Sequence, residues 1–303
     1  MNSINNINDI NYITDNHFIL HQPFFHDDVM DYNEIMYTEP YQALYYEFRT
    51  NAREEQCTTY IPSGCMDLIF IQTSSGNYVE LLGSSVEAKQ IKRIPCAKYF
   101  GVRFKPGMFL SYGSLSLRDI ANQELFFDCT KYEGSGNEAC DLLNEEFIHF
   151  FHMLSKTDLL NRKIELFHKY FDEYIDVSEV NDLTGYILSE INSTQGNVRI
   201  HELADELHYS ERHLSRIFLD SMGITPKTFA RIVRFQNAMD SILHEPKLTL
   251  CDYMCELGYS DQAHFQREFK QYTGVTPRRF INYAQNCNFT FRCVDHNTQM
   301  MAG

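Results

Sequence analysis

The sequence lacks the long apolar run that would mark a membrane-spanning helix. The sequence contains no stretch of about 18 consecutive residues that are apolar and uncharged. The first basic residue is Arg49, so the positively charged start of a secretory signal is absent as well. We therefore expect a cytoplasmic protein without contact to membranes. A length of 303 residues suggests about two domains, and an apolar fraction of 44% is enough for cores without disulfide or metal staples.

The nine cysteines lack the C-x-x-C spacing of a redox or zinc site. Their odd number and wide separation argue against a disulfide framework, so we expect free thiols. Cys57, Cys65 and Cys96 fall in a region of predicted strands, where we expect them to be buried and inert. Cys251 and Cys255 stand four residues apart, a spacing that is more often incidental than metal-binding.

Signatures of common catalytic sites are absent too. The sequence contains no P-loop, dinucleotide-binding fingerprint or nucleophile elbow, and its acidic residues form no recognisable catalytic pair. His17, His21 and His26 lie near one another in the sequence, and histidine side chains bind zinc, nickel and iron. The cupin-type pair of histidines two residues apart is missing, however. We therefore expect surface histidines, no metal, no cofactor and no enzymatic activity.

The charge is distributed unevenly along the chain. The formal net charge is −15, which on its own argues against nucleic acid as a partner. Most of the imbalance lies in residues 1–178, which hold 14 basic and 26 acidic side chains, whereas residues 196–285 hold eleven of each. Only this second region is compatible with a phosphate backbone.

Two patterns follow one another in the first 178 residues. Up to about Gly107, short apolar segments such as 67–71 alternate with turn residues, which predicts a small β-sandwich or barrel. Two amphipathic helices are then predicted by apolar residues at helical spacing. These stripes are Leu142, Leu143, Phe147, Phe150, Phe151 and Leu154, followed by Leu159, Leu160, Ile164, Phe167, Phe171 and Tyr174. They either cover the β region as core or contribute a dimer interface.

An internal repeat occupies the C-terminal third of the chain. Arg-Ile-Phe at 216–218 recurs as Arg-Glu-Phe at 267–269, and Gly-Ile-Thr-Pro at 223–226 recurs as Gly-Val-Thr-Pro at 274–277, both 51 residues later. Upstream, the apolar pattern of residues 200–210 recurs 50 residues later. One structural unit is therefore present twice.

Each unit has the pattern of a helix-turn-helix. In the first unit, Leu203, Ala204 and Leu207 share one face, and Ser210 is the predicted N-cap of the second helix. Arginine can bind guanine and glutamine can bind adenine through paired hydrogen bonds in the major groove, so the polar face of each second helix suits base reading. The predicted base-reading residues are Arg212, Ser215 and Arg216 in the first unit, and Gln262, Ala263, Gln266 and Arg267 in the second. The plain alternative is a solvated helical face.

A long helix is predicted between the units, from Thr225-Pro226 to about His244. A helix of ~20 residues is ~30 Å long, close to the ~34 Å of one duplex turn, and would hold both second helices in successive major grooves. Hydroxyl and basic side chains nearby are the predicted phosphate contacts. They are Ser210, Lys227, Arg231, Arg234, Ser260, Lys270, Arg278 and Arg279.

The second unit has a distinctive order of residues. It reads Gly-Tyr-Ser-Asp-Gln at 258–262, Phe-x-Arg-x-Phe-Lys at 265–270 and Gly-x-Thr-Pro-x-x-Phe at 274–280. Residues ~180–285 therefore resemble the DNA-binding domain of the AraC/XylS family of bacterial transcription regulators. The first half more weakly resembles the β-barrel sensor domains of such regulators, through Pro62-Ser-Gly64 and residues 101–107.

The resemblance and the patterns together predict an α+β protein. A small, cupin-like β-sandwich or barrel with a helical extension precedes an all-α domain with two helix-turn-helix units. We expect a β-rich sensor domain at 1–130, a helical linker or dimerisation segment at 131–178, the DNA-binding domain at 179–285 and a polar tail at 286–303.

The resemblance implies a sequence-specific transcription regulator. Its partners would be double-stranded promoter or operator DNA, a small-molecule effector in the N-terminal domain, RNA polymerase and a second copy of the chain. Two alternatives stay open: a β-barrel metalloprotein or enzyme with an appended helical domain, and a sensor whose aromatic stripe serves protein contacts while DNA binding is vestigial.

Overall fold

The N-terminal part is built from short strands, as the turn pattern predicts. The computed structural model describes residues 18, 22–26, 29–37, 42–51, 56–111, 116–130, 145–174, 176–244, 258–259 and 261–286. The strands are β1 (Met30–Tyr37), β2 (Ala43–Arg49), β3 (Gln56–Tyr60), β4 (Met66–Gln72), β5 (Asn77–Leu82), β6 (Lys89–Arg93), β7 (Lys98–Phe104), β8 (Met108–Ser111) and β9 (Glu124–Asp128). A short helix, α1 (Leu117–Ile120), precedes β9. We call β1–β9 with α1 the β domain.

Six strands pair in an antiparallel sheet with the order β1-β2-β7-β4-β5-β9, and β3 pairs with β6 in a separate ribbon. Side chains alternate along β4: Ile69 and Ile71 lie in a core with Tyr60 and Ile91 of the ribbon, whereas Phe70 lies in the core on the opposite side. The sheet and the ribbon therefore pack face to face. This confirms the predicted β part of an α+β fold.

Two helices, α2 (Glu145–Ser155) and α3 (Leu160–Tyr174), cover the other face of the sheet. The rings of Phe147, Phe150 and Phe151 lie 5.9, 5.5 and 5.4 Å from that of Phe70, and all of them are buried. The described part of the aromatic stripe is therefore core, which removes it as a dimer interface. The prediction for Leu159 is wrong, because this residue precedes α3 and is exposed; Leu142 and Leu143 lie outside the described residues.

A strand leads from these helices into the helical domain. β10 (Asp176–Glu179) pairs antiparallel with β8, so the chain crosses the predicted boundary at 178 while it is still attached to the β domain. The helices that follow are α4 (Asp182–Ser193), α5 (Ile200–Glu206), α6 (Glu211–Met222), α7 (Pro226–His244), α8 (Gln262–Thr273) and α9 (Pro277–Asn286). We call α4–α9 the helical domain. The long helix predicted from Thr225-Pro226 to His244 is α7.

One apolar core runs from the β domain into the helical domain. Phe229 of α7 packs against Gly64, and its ring centroid lies 6.2 Å from that of Phe18. Gln236, also on α7, is buried and donates a hydrogen bond of 2.5 Å to the carbonyl of Pro62. The long helix is therefore fixed to the β domain. Among the helices in the described ranges, none has the length and hydropathy needed to cross a membrane.

Candidate nucleic-acid interface

The second helix of the first unit is α6, and its ends are set by local sequence. The Ser210 hydroxyl accepts a hydrogen bond from the backbone N–H of His213 at 3.3 Å, which confirms the predicted N-cap. The helix ends at Gly223 in the left-handed conformation. Leu214 and Phe218 are fully buried, so the opposite side of α6 faces outward.

The second unit repeats this arrangement in α8. Here Asp261 is the N-cap, and its carboxylate accepts a hydrogen bond from the backbone N–H of His264 at 2.8 Å. Phe265 and Phe269 are fully buried, at the positions of Leu214 and Phe218 in the repeat. The two helices therefore present the same outward face, because the same repeat positions are buried in both.

The predicted base-reading residues lie on these two outward faces, within the first two turns of each helix. Arg212 and Arg216 are exposed on α6, and Ser215 between them is partly buried. On α8 the exposed residues are Gln262, Ala263, Gln266 and Arg267. We call these the reading faces. Both carry arginine at the same repeat position, Arg216 and Arg267, whereas Arg212 corresponds to Ala263.

The predicted phosphate contacts fall into three groups. Five are exposed: Ser210, Lys227, Lys270, Arg278 and Arg279. Two arginines of α7 already have partners inside the helical domain: Arg231 Nε donates to Glu268 at 2.7 Å, and Arg234 Nη2 donates to the Gly196 carbonyl at 2.8 Å. Ser260 lies outside the described residues.

Two histidines beside the reading faces are missing from the sequence prediction. His213 Nδ1 is 3.2 Å from Arg216 Nη2, and its ring lies 5.4 Å from that of Tyr209. His264 stands at the same place in the second unit, 5.6 Å from the ring of Tyr259. The internal repeat could have identified both histidines, since each occupies the third position after the N-cap of its helix.

Two segments of the β domain contact the second helix of each unit. We call residues 83–89 and 116–123 the bracket; its two halves are joined by hydrogen bonds such as Asn122 N–H to the Ser84 carbonyl at 2.8 Å. Arg118 forms an ion pair with Asp220 of α6 at 2.6 Å, and the Ala88 N–H lies 3.5 Å from the Gln271 carbonyl of α8. These contacts lie toward the C-terminal ends of α6 and α8, one helical turn beyond Arg216 and Arg267.

The remaining sequence predictions concern the cysteines and the residue types that bind metals. Cys65 is buried, and burial raises its pKa to about 12, which fits an inert thiol. The expectation of burial is wrong for Cys57 and Cys96, which are exposed. Within the described ranges, no three His, Cys, Asp or Glu side chains are grouped for a metal ion. His17, His21, the His26 side chain, Cys251 and Cys255 lie outside that part of the structure.

Comparisons with known proteins decide the family. The family model of a helix-turn-helix domain matches residues 203–283, and the family model of a domain of unknown function matches residues 39–126. Probable transcription factor PqrA of Proteus vulgaris is 34% identical over 101 residues, which make up 33% of this chain and 81% of the relative. The chain belongs to the AraC/XylS family of transcription regulators. It is a DNA-binding regulator of the helix-turn-helix type.

One further relative and two solved structures are also similar to this regulator. The Msm operon regulatory protein of Streptococcus mutans is 30% identical over 107 residues, 35% of this chain and 37% of that protein. Among solved structures, ToxT from Vibrio cholerae has a TM-score of 0.42 and 13% identity, covering 79% of this chain and 98% of ToxT. The C-terminal domain of AraT from Geobacillus stearothermophilus has a TM-score of 0.34 and 21% identity, covering 40% and 99%.

Proposed function

We propose that the regulator binds its operator through α6 and α8, with their reading faces in successive major grooves. Arg212, Ser215 and Arg216 read one half-site, and Gln262, Ala263, Gln266 and Arg267 read the other. Ser210, Ser260, Lys227, Lys270, Arg278 and Arg279 contact phosphates. The observation that carries this proposal is that both reading faces are exposed while the repeat-equivalent residues behind them are buried.

The test is a gel shift of single variants on DNA selected from a random library with the wild-type regulator. Arg216→Ala and Arg267→Ala should each weaken binding by about 1–3 kcal/mol, or roughly five- to 150-fold, because each removes a base contact. Arg162→Ala is the control, since Arg162 is exposed on α3 and pairs locally with Glu165. Undiminished DNA binding by both variants would contradict the proposal that Arg216 and Arg267 read bases.

We also propose that the β domain binds a small-molecule effector. The proposed sensor domain ends at residue 130, the helical linker at residue 178 and the DNA-binding domain at residue 285. Effector control is supported by the bracket and by α7, because both connect the β domain to the helical domain. An effector that prefers one arrangement of these contacts shifts the population of DNA-competent molecules. RNA polymerase and a second copy of the chain are further proposed partners, and the cytoplasm is the proposed location.

A thermal-shift screen of metabolites against the full chain tests effector control. A true effector raises the melting temperature and changes the affinity for the operator. By linkage, operator DNA must change the effector affinity by the same factor, which separates an effector from a ligand that only stabilises the β domain.

A further inference from the structure

A buried carboxylate lies at the contact between α7 and α8. The Glu268 side chain of α8 is only 1% exposed. Its Oε2 accepts a hydrogen bond from Arg231 Nε at 2.7 Å, and its Oε1 accepts one from the Tyr259 hydroxyl at 3.0 Å. Glu268 therefore ties the second reading helix to the long helix and to the turn that precedes α8.

Through Arg234, the same network reaches the loop that precedes the first unit. The Arg234 guanidinium lies 5.5 Å from the centroid of the Tyr259 ring, and its Nη2 donates to the carbonyl of Gly196, which precedes α5. Gly258 has a φ of +69°, and a β-carbon there would clash with the side-chain amide of Asn197. The turn of the second unit thus approaches the loop between α4 and α5 closely, and this loop leads into the first unit.

The protonation states favour a fixed network. Burial, followed by the nearby charge of Glu268, raises the pKa of Tyr259 well above its usual value and raises that of Tyr272 to about 12. Both phenols therefore stay protonated, and Tyr259 donates to Glu268 throughout the physiological range. Arg231 also lies over the ring of Tyr272 at 5.8 Å, which restricts its orientation.

The helix-turn-helix fold does not itself require a carboxylate at this position. In the repeat, Glu268 corresponds to Ile217 of α6. An apolar residue therefore serves the first unit where the second unit has a buried acid. Buried ion pairs are weak sources of stability compared with apolar packing, but their directional bonds favour one arrangement over others.

We propose that Glu268, with Arg231 and Arg234, is a positioning network that fixes the two reading helices relative to each other and so sets the half-site spacing the regulator accepts. The inference rests on the proposed function, since it presupposes that α6 and α8 read two half-sites. Inserting one base pair moves a half-site by about 3.4 Å and rotates it around the duplex, so a rigid pair of units must reject it.

The test compares the wild-type regulator with the double variant Arg231→Met/Glu268→Leu. Glu268 is buried and Arg231 is partly exposed, and replacing both charges by apolar residues of similar size leaves no unpaired charge in the core, so this variant keeps the fold while losing the directional bonds. Binding is measured on a library-selected operator, on the same operator with one base pair inserted or deleted between the half-sites, and on the isolated second half-site. Arg162→Met/Glu165→Leu, which removes an exposed pair on α3, is the matched control.

The wild type and the control should lose about tenfold or more in affinity when the spacing changes by one base pair. The double variant should lose less than about threefold, where each loss is taken relative to the same protein's affinity for the unaltered operator; the isolated half-site measures any separate change in reading by the second unit. A folded double variant that keeps the full spacing penalty overturns the proposal, and so does a wild type without one. A wild type that binds no DNA overturns the proposed function instead.

A second variant covers the case in which the double variant does not fold. Tyr259→Phe removes one hydrogen bond to Glu268 and keeps both the ring and the ion pair. It should reduce the spacing penalty by about threefold, because one of the hydrogen bonds that hold Glu268 is lost. An unchanged penalty in this variant counts against the positioning network.

Discussion

At the residue scale, the least predictable features of the β domain are its buried charges. Asp67 and Arg103 are both fully buried, with Arg103 Nε 2.8 Å from Oδ1 and Nη2 2.5 Å from Oδ2 of the carboxylate. They are register partners on β4 and β7, so the sheet itself brings them together. The sequence pattern predicted the strand at 67–71 but gave no sign of this pairing, because the partners lie 36 residues apart.

Removing one partner of this pair should be costly. Arg103→Met leaves the Asp67 carboxylate buried without its cation, and we expect a loss of about 3–5 kcal/mol in unfolding free energy. Asp67→Leu/Arg103→Met should recover most of that loss, because it removes both charges. Urea unfolding measures both variants, and a loss below about 1 kcal/mol for Arg103→Met would show that the charge is not effectively buried.

A second buried acid makes stability depend on pH. Burial raises the pKa of Glu80 from 4.5 to about 7, although Arg93 lies 3.0 Å away and opposes the shift. Between these values the unfolded chain has lost the proton while the folded chain keeps it, so rising pH favours unfolding. We expect this residue to reduce stability by about 3 kcal/mol between about pH 4.5 and 8.

The measurement for Glu80 is a series of urea midpoints across this range. Glu80→Gln should lack the part of the pH dependence that Glu80 contributes, because the amide does not titrate. Parallel curves for the variant and the wild type would show that the pKa of Glu80 is not raised.

At the element scale, the repeat predicted the helical domain far better than alternation predicted the sheet. The start of α7 at Pro226 and the N-cap Ser210 follow from local chemistry and are confirmed. On β2, the alternation of Leu44, Tyr46 and Phe48 suggests one buried face, yet Tyr45 is buried as well. Its ring packs against Phe167 of α3 at 5.7 Å, a contact that periodicity alone does not reveal.

Contacts between the β domain and the reading helices were likewise invisible in the sequence, since Arg118 and Asp220 lie 102 residues apart. The C-caps Gly223 and Gly274 provide a matched pair to test this contact. Both have positive φ, but a β-carbon on Gly223 would clash with Ala121 and the Arg118 backbone of the bracket, whereas Gly274 has open space.

Gly274→Ala should cost only the left-handed backbone strain, about 1–2 kcal/mol. Gly223→Ala should cost about 1–3 kcal/mol more, because it also forces the bracket away from α6. Thermal unfolding of the two variants tests this difference. Equal losses would show that the bracket does not pack against α6 in solution.

At the scale of the whole molecule, the net charge of −15 conceals a difference between the two units. Of the exposed basic residues predicted to contact phosphates, Lys227 belongs to the first unit, whereas Lys270, Arg278 and Arg279 belong to the second. Arg231 and Arg234, which follow Lys227 on α7, already have partners inside the helical domain. We therefore expect the second unit to supply most of the salt-dependent affinity.

Salt dependence of operator binding tests this asymmetry. Lys270→Ala, Arg278→Ala and Arg279→Ala should each reduce the slope of log affinity against log salt by about 0.9, the effect of one phosphate contact. Arg199→Ala is the comparison in the first unit, where Arg199 is paired with Glu202, and should change the slope less. An equal change for Arg199→Ala would contradict the asymmetry.

The most direct test of two-unit reading is methylation interference on the library-selected operator with the full-length wild-type regulator. Methylated guanine N7 blocks the major-groove contact of an arginine such as Arg216 or Arg267. We predict two clusters of interfering guanines about 10–10.5 base pairs apart, each lost in the alanine variant of its own unit. A single cluster, or two clusters that both persist in Arg216→Ala and Arg267→Ala, would contradict reading by both units.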